Sequence, residues 1–170
     1  MTLRELMSRF SALGEGFVGC VPDHSFASSK LRDSMELLFA KYPRLLDDES
    51  YRDFLKTYAG ASVTVNDKEE SDGWFAFLIG LDDFGGKVVP FTEEGYNVDD
   101  DGFLCIAQLY HQLTQVELNF GYYVSGAKRP GLHRILYIHG HEELRGWYCE
   151  TFVEWLEKFV RIGESIFHTE

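Results

Sequence analysis

Residues 45–65 read LLDDESYRDFLKTYAGASVTV. Asp47 or Asp48 can cap a helix start, because a short carboxylate accepts the unpaired N–H groups of the first turn. Tyr51, Phe54, Leu55 and Tyr58 then recur at i, i+3, i+4 and i+7, which lays one apolar stripe along a helix. Gly60 stands where a left-handed helix end is wanted, and 61–65 is a β-type run. A short amphipathic helix that closes and feeds a strand predicts a sheet with this helix packed on it.

Toward the N-terminus, Thr2 and Glu5 make a T-x-x-E capping box, followed by Leu3, Leu6, Met7, Phe10 and Leu13 at helical spacing. Gly14 can end that helix, and 15–20 fits a strand or a loop. Pro22 and the small polar run 25–29 read as a connection. Ser28 or Ser29 then caps a second helix bearing Leu31, Met35, Leu38, Phe39 and Tyr42, and Pro43 stops it. Beyond Gly60, candidate strands are 61–66, 74–81, 87–91, 102–109, 116–125 and 134–140. Turn signals separate them: Asp72-Gly73, Gly85-Gly86, Asp101-Gly102 and Arg129-Pro130-Gly131. Residues 110–114 fit a helical turn. The connections are too short for crossover helices, so most strand pairs are expected to be antiparallel. A last helix opens on a second capping box, Thr151 and Glu154, and carries Phe152, Trp155, Leu156, Phe159 and Ile162. Helices first, strands next and a helix last predict an α+β fold. It is a single domain with a mixed, mostly antiparallel sheet of about six strands, flanked by N-terminal helices and one C-terminal helix.

A chain of 170 residues buries about 70 % of its unfolded surface, enough for one real core. Aromatic residues are 15 %, which suits a sheet-rich core or a broad binding surface. The formal net charge of −12 argues against nucleic acid, whose binding rests on neutralising phosphates with Lys and Arg. It also disfavours anionic membranes and favours a basic protein partner, while serving solubility in any case. Cys20, Cys105 and Cys149 are an odd, scattered set with no CxxC, which fits a reducing compartment. The start MTLRELMSRF is amphipathic and charged, unlike a signal peptide, and no apolar run reaches the roughly 18 residues of a membrane span. The expected location is the cytoplasm.

Several motifs match in letters and fail in context. Residues 14–19, GEGFVG, spell G-x-G-x-x-G, but they follow a helix instead of linking a strand to one. Asp83-Phe84-Gly85 spells the kinase metal triplet without the catalytic loop or strand lysine that give it meaning. Residues 97–104, NVDDDGFL, fit the first half of a calcium loop, yet position twelve is Gln108 where a bidentate glutamate belongs. His139 and His141, with Glu142 and Glu143 following, could hold zinc only with a further ligand that nothing in the sequence indicates. No G-x-S-x-G elbow surrounds Ser125, and no cysteine signature offers a partner histidine. The sequence therefore assigns no catalytic residue, no metal ligand and no cofactor.

What remains is the charge between the strands: Asp67, Glu69, Glu70 and Asp72; Asp82 and Asp83; Glu93 and Glu94; Asp99, Asp100 and Asp101; Glu142 and Glu143. Collected at one end of a sheet, these make a strong negative patch. Trp74, Tyr96, Tyr122 and Tyr123 are candidate aromatic anchors, since interface centres favour Tyr and Trp, and each equally suits the core. The candidate partner-binding set is Trp74, Asp82, Asp83, Glu93, Glu94, Tyr96, Asp99, Asp100 and Asp101.

The pattern resembles the SUKH superfamily, which includes yeast cell-wall synthesis regulators and many bacterial immunity proteins. The resemblance begins at Leu45-Leu46-Asp47-Asp48 and continues through Tyr51-Arg52-Asp53-Phe54-Leu55 and Tyr58-Ala59-Gly60-Ala61. It resumes at Phe84-Gly85, at Asp100-Asp101-Gly102-Phe103-Leu104 and in 151–156, TFVEWL. The sequence departs from the family in lacking its common proline at Asp47 and in having Ala59-Gly60 where Asn-Gly is frequent. The resemblance implies one domain over 1–170, with a family-like core over 44–162 and an N-terminal helical extension over 1–43. It implies a binding protein without catalytic residues, of the immunity or antitoxin type, whose partner is a basic toxin domain such as a nuclease. The alternative is a scaffold or regulatory module for an unrelated cellular protein. A metal-dependent use of His139, His141 or the 97–101 loop is the third reading.

Overall fold

The computed structural model describes residues 1–20, 26–66, 73–78, 91–92, 95–96, 98–111 and 114–167. The chain opens with α1 (Leu3–Ala12), β1 (Glu15–Cys20), α2 (Phe26–Lys41), a 3-10 turn (Pro43–Asp47) and α3 (Glu49–Thr57). Then come β2 (Tyr58–Asn66), β3 (Gly73–Leu78), the short β4 (Phe91–Thr92) and β5 (Gly95–Tyr96), and β6 (Phe103–His111). The run β7 (Val116–Tyr123), β8 (Leu132–Ile138) and β9 (His141–Cys149) precedes the closing α4 (Phe152–Phe167). The fold is α+β. Seven strands form one sheet in the order β1-β2-β3-β6-β7-β8-β9, and β4 and β5 pair apart from it. Every pairing in the large sheet is antiparallel.

The local signals explain most of these elements. Both reciprocal bonds of the Thr2/Glu5 capping box form, at 2.8 and 3.2 Å. Asp48, not Asp47, caps α3; its Oδ1 accepts from the Ser50 and Tyr51 N–H groups at 3.1 and 3.3 Å. At α4, Thr151 Oγ1 accepts from Glu154 N–H, while the Glu154 carboxylate reaches back to the Glu150 N–H.

Four expectations shift. Gly60 does not end α3; Tyr58 is already extended and Gly60 sits inside β2 opposite Gly19. Helix α2 starts at Phe26, ahead of both serines proposed as its cap. Tyr110 and His111 complete β6 instead of forming a helical turn, held there by pairing with Glu117 and Val116. The large sheet has seven strands where about six were expected: 15–20 joins it as β1, the expected strand 87–91 is not in it (Phe91 pairs apart in β4, and 87–90 lie outside the described residues), and it gains β9, which carries almost no alternating pattern. It is an edge strand, with most residues from His141 to Trp147 exposed, so selection for a buried face does not mark it.

The core lies between one sheet face and the helices. Leu6, Met7 and Phe10 of α1, Tyr51, Phe54 and Leu55 of α3, and Phe152, Trp155, Leu156 and Val160 of α4 meet Ala61, Val63, Leu104, Phe120 and Tyr122 from the strands. Segment 1–20 is thus woven into the same sheet and core as the rest. The α3 stripe anchors it: Phe54 is wholly buried, with its ring 4.8 Å from Phe152 and 5.7 Å from Tyr58. Truncating such a ring to alanine costs about 3–5 kcal/mol. A second, smaller cluster on the opposite sheet face joins Phe103, Cys105, Tyr123 and Ile135, with Tyr137 packed beside it.

Candidate functional site

The acidic turn before β6 is built by its own first aspartate. Asp99 Oδ1 accepts from the N–H groups of Asp101 and Phe103, each at 2.9 Å. Its backbone closes the turn through Gly102 N–H to Asp99 O at 3.0 Å. Gly102 has φ +83°, and a Cβ there would stand 2.0 Å from Ser125 Oγ, so only glycine fits. The calcium-loop letters therefore spell an Asx turn. Asp99 Oδ1 is spent on backbone donors, and Asp99 Oδ2 faces an arginine.

That arginine, Arg145 of β9, gathers the charges. Its Nη1 lies 3.3 Å from Asp99 Oδ2 and 3.6 Å from Asp101 Oδ2. Nε and Nη2 donate to the two oxygens of Glu142 at 2.7 and 3.1 Å, a bidentate grip. Nη1 also donates to the Tyr123 hydroxyl at 3.0 Å. The hydrogen bonds from Arg145 hold the Glu142 carboxyl below the usual carboxylate range, and Glu142 raises the Arg145 pKa in return. Two acidic clusters far apart in sequence thus share one surface. Asp100 and Glu143, their neighbours in sequence, are both exposed. Three carboxylates, Asp99, Asp101 and Glu142, meet one guanidinium, so the cluster keeps a net negative charge after its internal pairing.

Strand β9 also exposes two apolar side chains, Leu144 at 47 % and Trp147 at 37 %; by the alternation of the strand Trp147 shares the face of Arg145 and Leu144 points to the other. Trp147 is fixed in place: its Nε1–H donates to Pro130 O at 3.1 Å and the Arg129 guanidinium stacks 3.6 Å from its ring. Strand β9 forms one edge of the sheet, and register shifts beside Glu143 and Tyr148 interrupt its ladder with β8.

Among the residues expected from sequence, Asp99, Asp100 and Asp101 stand together on this surface. Trp74 takes its place in β3 opposite Val65 and His111, and Tyr96 in β5 opposite Phe91. Asp82, Asp83, Glu93 and Glu94 lie outside the described residues. Tyr122 and Tyr123 are buried and do not serve as surface anchors. His139 and Gly140 make the β8–β9 hairpin turn with φ +52° and +78°. His139 Nδ1 meets Gln115 Oε1 at 3.1 Å. Among the described residues, no three His, Cys, Asp or Glu side chains are grouped to hold a metal ion. Sequence reasoning missed Arg145 and Trp147, because both lie in the strand it did not find.

Comparison with family models, with curated proteins and with solved structures finds no match to this chain. Among the described residues, no helix is long and apolar enough to cross a membrane.

Proposed function

We propose that this chain is a non-enzymatic binding protein of the immunity type, which uses its acidic β9 surface to bind and block a basic toxin domain. The observation that carries the reading is the convergence of Asp99, Asp101 and Glu142 on Arg145, with the exposed Asp100 and Glu143 next to them in sequence, in a chain of net charge −12. The sequence resemblance to the SUKH superfamily supports the same reading. A nuclease or similar toxin presents a basic groove to its substrate phosphates, and an acidic surface can occupy it. The unpaired carboxylates Asp100 and Glu143 steer the encounter, since long-range attraction raises the association rate. Trp147, on the same face as Arg145, holds the complex, since exposed aromatic side chains supply much of the binding free energy at interface centres.

The test uses full-length chain as bait against lysate of its source organism, with captured proteins identified by mass. The expected result is one stoichiometric basic protein, toxic when expressed without this chain. A variant with Asp100→Asn, Asp101→Asn and Glu143→Gln should bind it about tenfold more slowly, with a flatter salt dependence. Capture of an acidic or neutral partner, equally well by both forms, would overturn the reading.

A further inference from the structure

Strand β9 ends the large sheet, and among the described residues β8 is the one strand paired with it. Alternate residues of an edge strand turn their backbone N–H and C=O groups away from the sheet, which leaves a row of unused donors and acceptors. The side chains do not close over this edge: 141–144, 146 and 147 are all exposed. Between the register shifts beside Glu143 and Tyr148 lies an undistorted stretch, 144–147, paired residue for residue with 133–136.

Gly146 stands inside that stretch without a reason in the fold. Its φ lies outside the left-handed region, and a Cβ there would meet no atom within 4 Å. Glycine weakens a strand interior, and it often marks a place where another backbone comes close.

The two faces along the edge differ in chemistry. Glu142 and Arg145 stand opposite Tyr137 and Ile135, so they share one face, where Asp99 and Asp101 join them: three carboxylates against one guanidinium. On the other face the exposed Leu144 stands opposite Leu136 of β8. A strand laid along β9 puts alternate side chains over these two faces, one set against net negative charge and the other against an apolar surface. A second copy of this chain would bring the same net negative charge to the seam, and like charges opposed across strands are destabilising. The edge thus disfavours pairing with itself and favours a strand that carries cations.

We infer that the basic partner docks through an extended segment of alternating basic and apolar residues, added as a strand to the outer edge of β9. Its cations lie over the Asp99, Asp101 and Glu142 carboxylates, and its apolar side chains lie beside Leu144. This rests on the reading of the β9 surface as the binding surface and specifies how the partner is held. Main-chain hydrogen bonds give affinity, and the two faces select the sequence.

The probes are three capped peptides, KVKVKVK, its block rearrangement KKKKVVV and the acidic EVEVEVE, each titrated into ¹⁵N-labelled full-length protein. KVKVKVK should shift the amide resonances of 144–147 saturably and bind at least about tenfold tighter than KKKKVVV, which has the same charge and composition. With KVKVKVK bound, alternate amides of 144–147 should exchange with deuterium at least about tenfold more slowly. Equal binding of KVKVKVK and KKKKVVV, or unchanged exchange at 144–147, would overturn strand addition and leave standing an acidic surface that attracts cations. No shift at about 5 mM KVKVKVK would overturn strand addition alone, since a folded toxin can still meet the surface through side chains. Binding of EVEVEVE as tight as that of KVKVKVK would overturn both the inference and the reading of the surface on which it rests.

Discussion

Asp48 and Asp99 perform the same local task in opposite surroundings. Each accepts backbone N–H groups with Oδ1 and sends Oδ2 to a distant element. Asp48 is 6 % exposed; its Oδ2 accepts from the Tyr122 hydroxyl at 2.5 Å and from the Phe152 N–H at 2.7 Å. It thereby joins the N-termini of α3 and α4 to strand β7, and Ser50 Oγ adds a bond from Val153 N–H. Asp99 has a side chain 38 % exposed, and its Oδ2 meets Arg145 where water competes. Burial decides which aspartate holds the fold. A buried donor that loses its acceptor keeps its whole desolvation cost, while an exposed one turns to water. The fold is tied together at Asp48, and the Asp99 surface is left free to serve recognition.

The largest effect is therefore expected at Asp48→Ala. It strips the α3 cap and orphans the Phe152 N–H and the Tyr122 hydroxyl, at a cost of about 3–5 kcal/mol in urea unfolding. Tyr122→Phe removes one of these bonds and keeps the ring, so about 1–2 kcal/mol is expected. Arg145→Gln should cost about 1 kcal/mol, since its three carboxylate partners remain hydrated. Asp99→Asn keeps the turn acceptor Oδ1 but replaces Oδ2, the acceptor facing Arg145, with an amide donor; because this contact is exposed, its cost should stay near or below about 1 kcal/mol. If Asp99→Asn proved as damaging as Asp48→Ala, the contrast between the two aspartates would collapse.

Titration sharpens the same contrast. Burial pushes the Cys105 thiol up to about 12 from its usual 9.0. A raised folded pKa means stability that is complete below pH 9.0 and is lost as pH rises toward about 12. Cys105→Ala should flatten that alkaline decline in a series of unfolding curves. On the surface the sign reverses. The lowered Glu142 pKa contributes stability present above its unfolded value and lost as pH falls through the folded one. Because Glu142 is solvent-exposed, the acid-side change should be small, and Arg145→Gln should abolish it.

Legibility in the sequence followed burial. The α3 stripe Tyr51, Phe54, Leu55 and Tyr58 was readable because every member enters the core. The Thr2/Glu5 capping box, the Thr151 cap of α4 and the antiparallel meander were readable for similarly local reasons; the Glu154 carboxylate closes on Glu150 N–H instead of the Thr151 N–H that a full box would use. Strand β9 was not, because an exposed edge strand with two register shifts carries no alternation. Losing β9 meant losing Arg145, so the acidic clusters could be suspected of converging while the residue that joins them stayed hidden. The second role of Asp48, toward Tyr122 and Phe152, spans 74 and 104 residues and has no local signature.

The most direct measurement is the association rate of the captured basic protein with the wild-type chain and with the Asp100→Asn, Asp101→Asn, Glu143→Gln variant, over a range of salt. The account predicts a fast, salt-sensitive rate for the wild type and a rate about tenfold slower, with a shallower salt slope, for the variant, at equal folding stability. Identical rates and slopes for the two proteins would contradict it and remove the acidic β9 surface from recognition.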